Sequence, residues 1–377
     1  MTRKAFYALA ALMVGMTPAL SQESVKIGFI ADMTGPLAPI GTGLERGVAA
    51  ARDVWNANNA KKIELVQCDS LSTGAGALSC YQRLKSSVVA LSGPHLFLGL
   101  ASVKGVADKV PPVIVSGAPM AGPSGDAAAG SHIFQDLPQL EDQASAALAY
   151  LKKQGRTKIA LLAANDLPGN ITIAGAKAYA AANGIELVRI EQFDGTAQSL
   201  APQAENIAAA KPDGVVGSVV GPALITALRA LKTANVDVPI VLNYAAMSSS
   251  LLTRAETAAG DNLFFTATRN MDPSSVTDPT VKKRLGDFDT KFQQLYNMAA
   301  DFTAYVAADT VNILAQAATA PAGSSKIRET MESGTPFWGV LWPEYKYSPR
   351  SHVGATGVAA FDILRWQPAK KNWSLVQ

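Results

Sequence analysis

The stretch that decides the fold runs from Val25 to Ile40 and reads VKIGFIADMTGPLAPI. Its first part, VKIGFI, is a short apolar and β-branched run, which is typical of a buried strand. Apolar residues at helical spacing over 43–58 then predict a helix, and 63–66 predicts a second strand. A strand, a turn rich in glycine and proline, a helix and another strand form the unit from which parallel sheets with helices on both faces are built.

The same alternation continues along the chain and restarts near residue 140. It predicts further helices at 78–88, 98–110, 142–154, 174–183, 201–210, 223–234, 278–295 and 301–318, and strands at 113–115, 158–163, 185–190, 214–220 and 239–242. Residues 358–366 and 373–376 predict a terminal hairpin. We therefore predict an α/β fold of two doubly wound, parallel-sheet lobes, with crossings between them near 135–140 and 267–275.

The N-terminus has the order of a secretory signal peptide. Met1–Lys4 is positively charged, Ala5–Met16 is apolar, and small residues precede a cut after Ser21, with a cut after Ala19 fitting nearly as well. The apolar run is shorter than the ~20 residues that cross a bilayer. We predict that 1–21 is a signal peptide and that the product is released, soluble, into the periplasm; a buried N-terminal helix is the alternative.

Composition narrows the class of protein. The chain has 33 basic and 30 acidic residues, and without Arg3 and Lys4 of the signal peptide 31 and 30 remain. This balance argues against a nucleic acid or an anionic membrane as the partner, because both require a clustered positive surface. With 48% hydrophobic and 17% charged residues, the 377 residues can bury a large core, enough for about two domains.

The two cysteines, Cys68 and Cys80, predict one disulfide in an oxidising compartment. A closed loop of this size contributes about 3 kcal/mol in the chain-entropy model. The alternative is a pair of buried free thiols. A zinc site is not predicted, because structural zinc usually requires four Cys or His ligands.

Signatures of catalysis are lacking in the sequence. His95, His132 and His352 lie far apart, and no His-Glu-x-x-His or Gly-x-Ser-x-Gly motif occurs. The glycines of 41–47 are spaced one residue too widely for a dinucleotide fingerprint. We therefore expect no enzyme activity, no cofactor and no metal.

Residues 27–38, IGFIADMTGPLA, resemble the first strand and ligand loop of the leucine/isoleucine/valine-type periplasmic binding proteins. In that family a hydrophobic strand runs into a Ser/Thr-Gly-Pro turn and then into a long helix. The segment 113–119 is similar to the family's next small-residue ligand loop, and Asp142-Gln143 matches the start of its first helix in the second lobe. Residues 305–318 look like its late alanine-rich helix. The resemblance covers the chain from about Val25 to the end.

This resemblance implies the type I periplasmic binding protein fold, in which two lobes joined by three crossovers close on a ligand. The implied first lobe is 22–138 plus 272–345, and the second is 139–271 plus 346–377. The implied partners are a small-molecule solute and the permease subunits of an ABC importer, with the receptor acting as a monomer.

The predicted ligand-binding residues lie in loops after strand ends, where open α/β sheets hold their ligands. They are Thr34, Ile40, Phe97, Ala118, Met120, Pro168, Val220 and Tyr244. Relatives that bind amino acids hold the ammonium with an acidic residue of the second lobe, and residues 243–246 contain none. A buried unpaired ammonium is costly. We therefore expect a solute other than an ordinary α-amino acid, such as an aromatic or short-chain organic acid.

Two other functions fit the sequence. A sensor or accessory binding protein on the same fold would have the same sequence features, and neighbouring permease and ATPase genes would distinguish a transport receptor from it. A secreted α/β hydrolase would require a nucleophile beside His95, the histidine that we place nearest the cleft.

Overall fold

A computed structural model describes residues 24–118, 125–247, 252–253 and 262–376. The predicted signal peptide and Met120 lie outside these ranges. The strands are β1 Val25–Ala31, β2 Ile63–Asp69, β3 Ala90–Ser92, β4 Val113–Ser116, β5 Ile133–Gln135, β6 Lys158–Ala164, β7 Glu186–Phe193, β8 Gly214–Ser218, β9 Ile240–Asn243, β10 Leu263–Ala267, β11 Asp362–Gln367 and β12 Asn372–Leu375. The α-helices are α1 Ala38–Asn58, α2 Gly74–Leu84, α3 Phe97–Ala107, α4 Leu140–Lys153, α5 Leu167–Asn183, α6 Ala201–Ala209, α7 Pro222–Thr233, α8 Pro279–Tyr296, α9 Phe302–Thr319 and α10 Ile327–Glu332.

Two sheets organise the molecule. The first, in the order β2-β1-β3-β4-β5, is parallel throughout. The second has the order β12-β11-β10-β9-β8-β6-β7 and is parallel from β10 to β7. Its edge differs from the predicted all-parallel sheet, because β11 pairs antiparallel with both β10 and β12. The α/β fold class and the terminal hairpin are confirmed, although Val358–Ala360 forms a 3-10 turn rather than the start of a strand.

The main misses concern short strands and helix starts. The strands β3, β5 and β10 were not predicted, because three to five residues carry too little periodicity. Helix α5 begins at Leu167 rather than at 174, since the Asp166 carboxylate caps it by accepting a hydrogen bond from Gly169 N at 2.8 Å. Helix α2 begins earlier than predicted for a similar reason, because the Thr73 hydroxyl accepts from Gly76 N at 2.9 Å.

Helix α9 is the centre of the first lobe, where it packs on α1 and against β1, β3 and β4. The approach to α1 is close enough to require glycine. A Cβ on Gly47 would stand 2.1 Å from the carbonyl oxygen of Ala304. Almost every residue of α9 is buried as a result.

The predicted disulfide is present. Cys68 at the end of β2 is bonded to Cys80 of α2, with their Cα atoms 5.7 Å apart. The bond fixes the loop that follows β2 to the helix that covers the sheet.

Three crossovers, at 135–140, 267–275 and 340–354, connect the two lobes and are hydrogen-bonded to one another; together we call them the hinge. The first follows Gln135, whose N–H donates to His352 O at 2.8 Å and whose carbonyl accepts from Gly354 N at 2.9 Å in the third crossover. In the second, the Asn270 side chain donates to Val340 O of the third at 2.8 Å.

A buried carboxylate of α9 holds the third crossover. Asp309 accepts hydrogen bonds from the amides of Val340, Leu341 and Trp342 and from the hydroxyl of Tyr345. Burial raises the pKa of Asp309 to about 6, although these four bonds oppose the rise. The hinge therefore rests on an ionisable group.

Candidate functional site

The candidate site is formed by the loops at the carboxyl ends of the parallel strands. In the first lobe these loops follow β1, β3 and β4, and in the second they follow β6, β8 and β9. Ligands bind at such strand ends because helix N-termini and loop amides gather there.

The loop after β1 is fixed by the carboxylate of Asp69 at the end of β2. Asp69 accepts from the amides of Met33 at 3.0 Å and Thr34 at 3.2 Å, and from the Thr34 hydroxyl at 2.6 Å. Burial would raise the pKa of Asp69, but these hydrogen bonds lower it below its usual value. Because the Thr34 hydroxyl donates to Asp69, Thr34 is left as a hydrogen-bond acceptor towards a solute.

The loops after β3 and β4 are held together by His95. The amide of Gly117 donates to Nδ1 of His95 at 3.2 Å, and the hydroxyl of Ser116 donates to Pro94 O at 2.5 Å. The amide of Ala118 in turn donates to the Ser116 oxygen at 3.1 Å. The side chain of Ala118, a predicted ligand residue, is buried within this loop.

His95 is arranged as a support and not as a general base. Since Nδ1 accepts from Gly117, the ring proton is on Nε2, which donates to the Ser92 oxygen at 3.2 Å. The Ser92 hydroxyl then donates to Thr310 at 2.6 Å, and Thr310 donates to Ala307 O at 2.9 Å. Burial lowers the pKa of His95 to about 3. Both ring nitrogens are therefore occupied, which opposes the hydrolase alternative.

Asp136, in the first crossover, is the residue that sequence reasoning missed. It is fully buried, and its carboxylate oxygens make no hydrogen bond of good geometry among the described residues, although the nearby backbone amides of Asp136 and Leu137 act to lower its pKa. Burial raises the pKa of Asp136 well above its usual range, and the charge of Asp309 raises it further. One of its oxygens lies 3.8 Å from the position that a Cβ on Gly117 would take. The sequence signal that could have identified Asp136 is the presence of an acidic residue within the predicted crossover 135–140.

Tyr244 connects the second lobe to the same place. Its hydroxyl donates to Pro138 O of the first crossover at 3.2 Å, and its ring stacks on Phe302 of α9 with centroids 5.1 Å apart. Burial raises the pKa of Tyr244, and the charge of Asp136 adds to the effect. Tyr244 and the loop of Gly117 and Ala118 thus converge on Asp136 from opposite lobes.

The remaining predicted residues are more exposed. Ile40 is 36%, Phe97 38% and Val220 51% exposed, and Pro168 is partly buried at the start of α5. Among the described residues, no hydrogen bond or ring contact joins these four to one another. Their position at the start of helices after strand ends agrees with a loop surface, and their role as ligand contacts stays a prediction.

A polar group in the second lobe was also missed. The Ser218 hydroxyl oxygen accepts from the Asn243 side chain at 3.3 Å and from the Thr172 hydroxyl at 3.4 Å. Ser218 and Asn243 end β8 and β9, whereas Thr172 lies on α5. The polarity of Ser218 and Asn243 at the ends of apolar strands was the signal for this group.

Neither a metal centre nor a membrane span is found in the part of the chain that the structure describes. No group of three or more His, Cys, Asp and Glu side chains in that part could hold a metal ion. No helix in the same ranges is both long and apolar enough to cross a bilayer.

The molecule has two α/β lobes, and their strand-end loops lie beside a hinge of three crossovers. This arrangement is that of a solute-binding receptor. Residues 24–370 match the family model described as periplasmic binding protein, so the chain belongs to the periplasmic binding protein family. Its fold is the type I fold of the leucine/isoleucine/valine-type members, as predicted. Proteins of this family and fold are non-enzymatic receptors of the periplasm that bind small molecules and serve ABC transporters.

Solved structures share the fold over nearly the whole chain. The branched-chain amino acid transporter substrate-binding protein LivJ of Streptococcus pneumoniae, in complex with isoleucine, is 21% identical, with a TM-score of 0.76 over 94% of this chain and 99% of that one. An extracellular ligand-binding receptor of Rhodopseudomonas palustris is 17% identical, with a TM-score of 0.79 and coverage of 94% and 100%. The leucine-binding protein LivK of Thermotoga maritima is 16% identical, with a TM-score of 0.75 and coverage of 94% and 98%. No curated protein matches significantly.

Proposed function

We propose that this receptor captures one small solute between its lobes and delivers it to the permease of an ABC importer of the branched-chain amino acid type. It acts as a monomer in the periplasm after loss of residues 1–21, and it makes or breaks no bond in the solute. The lobe boundaries are those implied by the family resemblance, 22–138 plus 272–345 and 139–271 plus 346–377.

The observation that carries the proposal is the convergence on Asp136. The loop of Gly117 and Ala118 approaches it from the first lobe, and Tyr244 reaches the first crossover from the second lobe. A solute placed there would contact both lobes at once. Its binding energy would therefore favour the closed arrangement, which is the population shift that such receptors use.

We propose that the solute is an aromatic or short-chain organic acid. The side chains of Ile40, Phe97 and Val220 offer it an apolar surface. Because burial and Asp309 favour the acid form of Asp136, its carboxyl can donate a hydrogen bond to a solute carboxylate. An ammonium would require the ionised form instead.

A thermal-shift screen tests the proposal. A solute that binds only the folded protein stabilises it by about 2.7 kcal/mol at a hundredfold excess over Kd. The panel should include benzoate, phenylacetate, short-chain acids, amides and leucine, together with mass spectrometry of molecules that co-purify. Absence of any shift across this panel would count against a receptor of this type.

The pH dependence of affinity separates the solute classes. Affinity for an acid should fall as pH rises through the pKa of Asp136, and this dependence should be lost in Asp136→Asn. Affinity for leucine that instead rises with pH would contradict the organic-acid proposal while leaving the receptor function intact. Val220→Asp should weaken solute binding. The matched control is the same substitution at Val106, which is similarly exposed on α3 and should leave the affinity unchanged.

A further inference from the structure

A second cavity lies on the outer side of the first lobe, away from the strand-end loops. Its volume is about 220 Å³, and it is enclosed by α1, α8, α9 and the segment before the third crossover. Trp55 and Trp338 form its apolar wall, with ring centroids 6.0 Å apart and an angle of 20° between the rings. Val340, whose amide is held by Asp309, is part of the same wall.

A cation that forms no direct ion pair with any described residue faces this cavity. The guanidinium of Arg284 lies over the ring of Trp338, 5.3 Å from its centroid, and donates to Pro343 O at 3.2 Å. Its Nε is buried with no hydrogen-bond acceptor among the described residues, and none of the ion pairs in that part of the chain includes Arg284. Burial lowers the pKa of Arg284, although Asp309 and Asp278 oppose this effect. A half-buried guanidinium is costly without an anion beside it.

A second unpartnered polar group lines the same cavity. Asn312 of α9 is 4% exposed, and its side-chain amide makes no hydrogen bond within the described ranges. At the rim, Lys283 is already paired with Asp287 at 2.6 Å. Asn58 and Asn59 also line the cavity, and each already donates one side-chain N–H to a backbone oxygen of α1. Arg284 and Asn312 are therefore the groups on the opposite wall that can donate to an anion.

We propose that this cavity is a second binding site, for a small carboxylate with a flat or short apolar body. Arg284 and Asn312 would donate to the carboxylate, and Trp55 and Trp338 would pack against the body. The volume is smaller than the ~300–1,000 Å³ of sites for drug-sized ligands, which limits the occupant to about the size of a monocyclic acid. The site is independent of the interlobe cleft and of the solute carried there.

Benzoate is the probe for a direct test with the mature protein. Titration followed by tryptophan fluorescence and calorimetry should show saturable binding. The affinity should fall at least tenfold in Arg284→Gln, and benzamide, which lacks the charge, should bind at least tenfold more weakly. The matched control is Arg46→Gln, because Arg46 also lies over an aromatic ring, that of Tyr296 at 5.4 Å, but outside the cavity. It should leave the affinity unchanged.

The position of the bound acid can be determined by X-ray diffraction from crystals of the protein grown with 4-bromobenzoate. The bromine should appear beside Trp55 and Trp338. Bromine confined to the interlobe cleft, no saturable binding, or equal affinity in Arg284→Gln would each overturn the proposal. If Arg284→Gln does not fold, Asn312→Leu and the position of the bromine in the crystals decide in the same way.

Discussion

Replacement of Tyr244 by alanine separates a packing role from a ligand-contact role. The ring is 1% exposed, stacked on Phe302 and edge-on to Trp342 at 6.2 Å. Removal of a buried aromatic ring costs about 3–5 kcal/mol, because the neighbours close the cavity only in part. The milder change Tyr244→Phe removes only the hydrogen bond to Pro138 O. We expect it to lower the free energy of unfolding by about 1 kcal/mol.

The assay is urea unfolding at pH 7 followed by circular dichroism, with a solute titration on each variant. Phe97→Ala is the control, because its ring is 38% exposed and its loss should change stability by at most ~0.5 kcal/mol. A loss below about 1 kcal/mol for Tyr244→Ala would refute the packing argument. Tyr244 would then be an open cleft contact only.

Three further outcomes follow from the packing and charges of the fold. Replacing both Cys68 and Cys80 by alanine should destabilise the protein by about 3 kcal/mol, measured by urea unfolding against the oxidised parent; an unchanged midpoint would show that the bond constrains nothing. Gly47→Ala should lower the free energy of unfolding by several times ~1 kcal/mol, because the new Cβ would meet the backbone of Ala304. The control is Gly105→Ala in α3, where a Cβ would have nothing within 4 Å and should stabilise the protein by about 0.5–1 kcal/mol. Similar thermal midpoints for the two variants would contradict the close contact between α1 and α9. The raised pKa values of Asp136 and Asp309 mean that the folded state binds protons more tightly, so the stability that each contributes is complete below pH 3.8 and is lost as the pH rises through its pKa in the folded state. For Asp309, whose pKa is about 6, the change is about 3 kcal/mol. Asp136→Asn should flatten the profile of stability against pH, the surface variant Asp126→Asn should not, and parallel profiles would disprove the assignment.

The layout of the lobes could be predicted from the sequence because long amphipathic patterns determine it. The helix at 301–318 and the strand at 158–163 were placed within a residue of their observed bounds. The strands β3 and β5 could not be found in this way, since a run of three residues fits a helix or a loop as well as a strand. The antiparallel β11 shows a related limit, because strand direction depends on pairing partners that are distant in sequence.

The candidate site was predicted less well, because burial and partners decide a polar residue's role. Nothing in the sequence indicates that the Asp136 carboxylate is buried without a hydrogen bond of good geometry, or that His95 uses both ring nitrogens within the loops. The search for a carboxylate was confined to residues 243–246, whereas the fold brings one from the first crossover. Contacts between segments that are far apart in sequence are the information that composition and spacing do not contain.

The position of α9 in the core of the first lobe has a consequence for biogenesis. The strands that it covers lie near the start of the chain, and β6 to β10 of the second sheet are synthesised before α9 emerges from the ribosome. The N-terminal half therefore remains without its central packing partner until translation is nearly finished. Such long-range contacts delay folding, and that delay would keep the chain unfolded for the export to the periplasm that we propose.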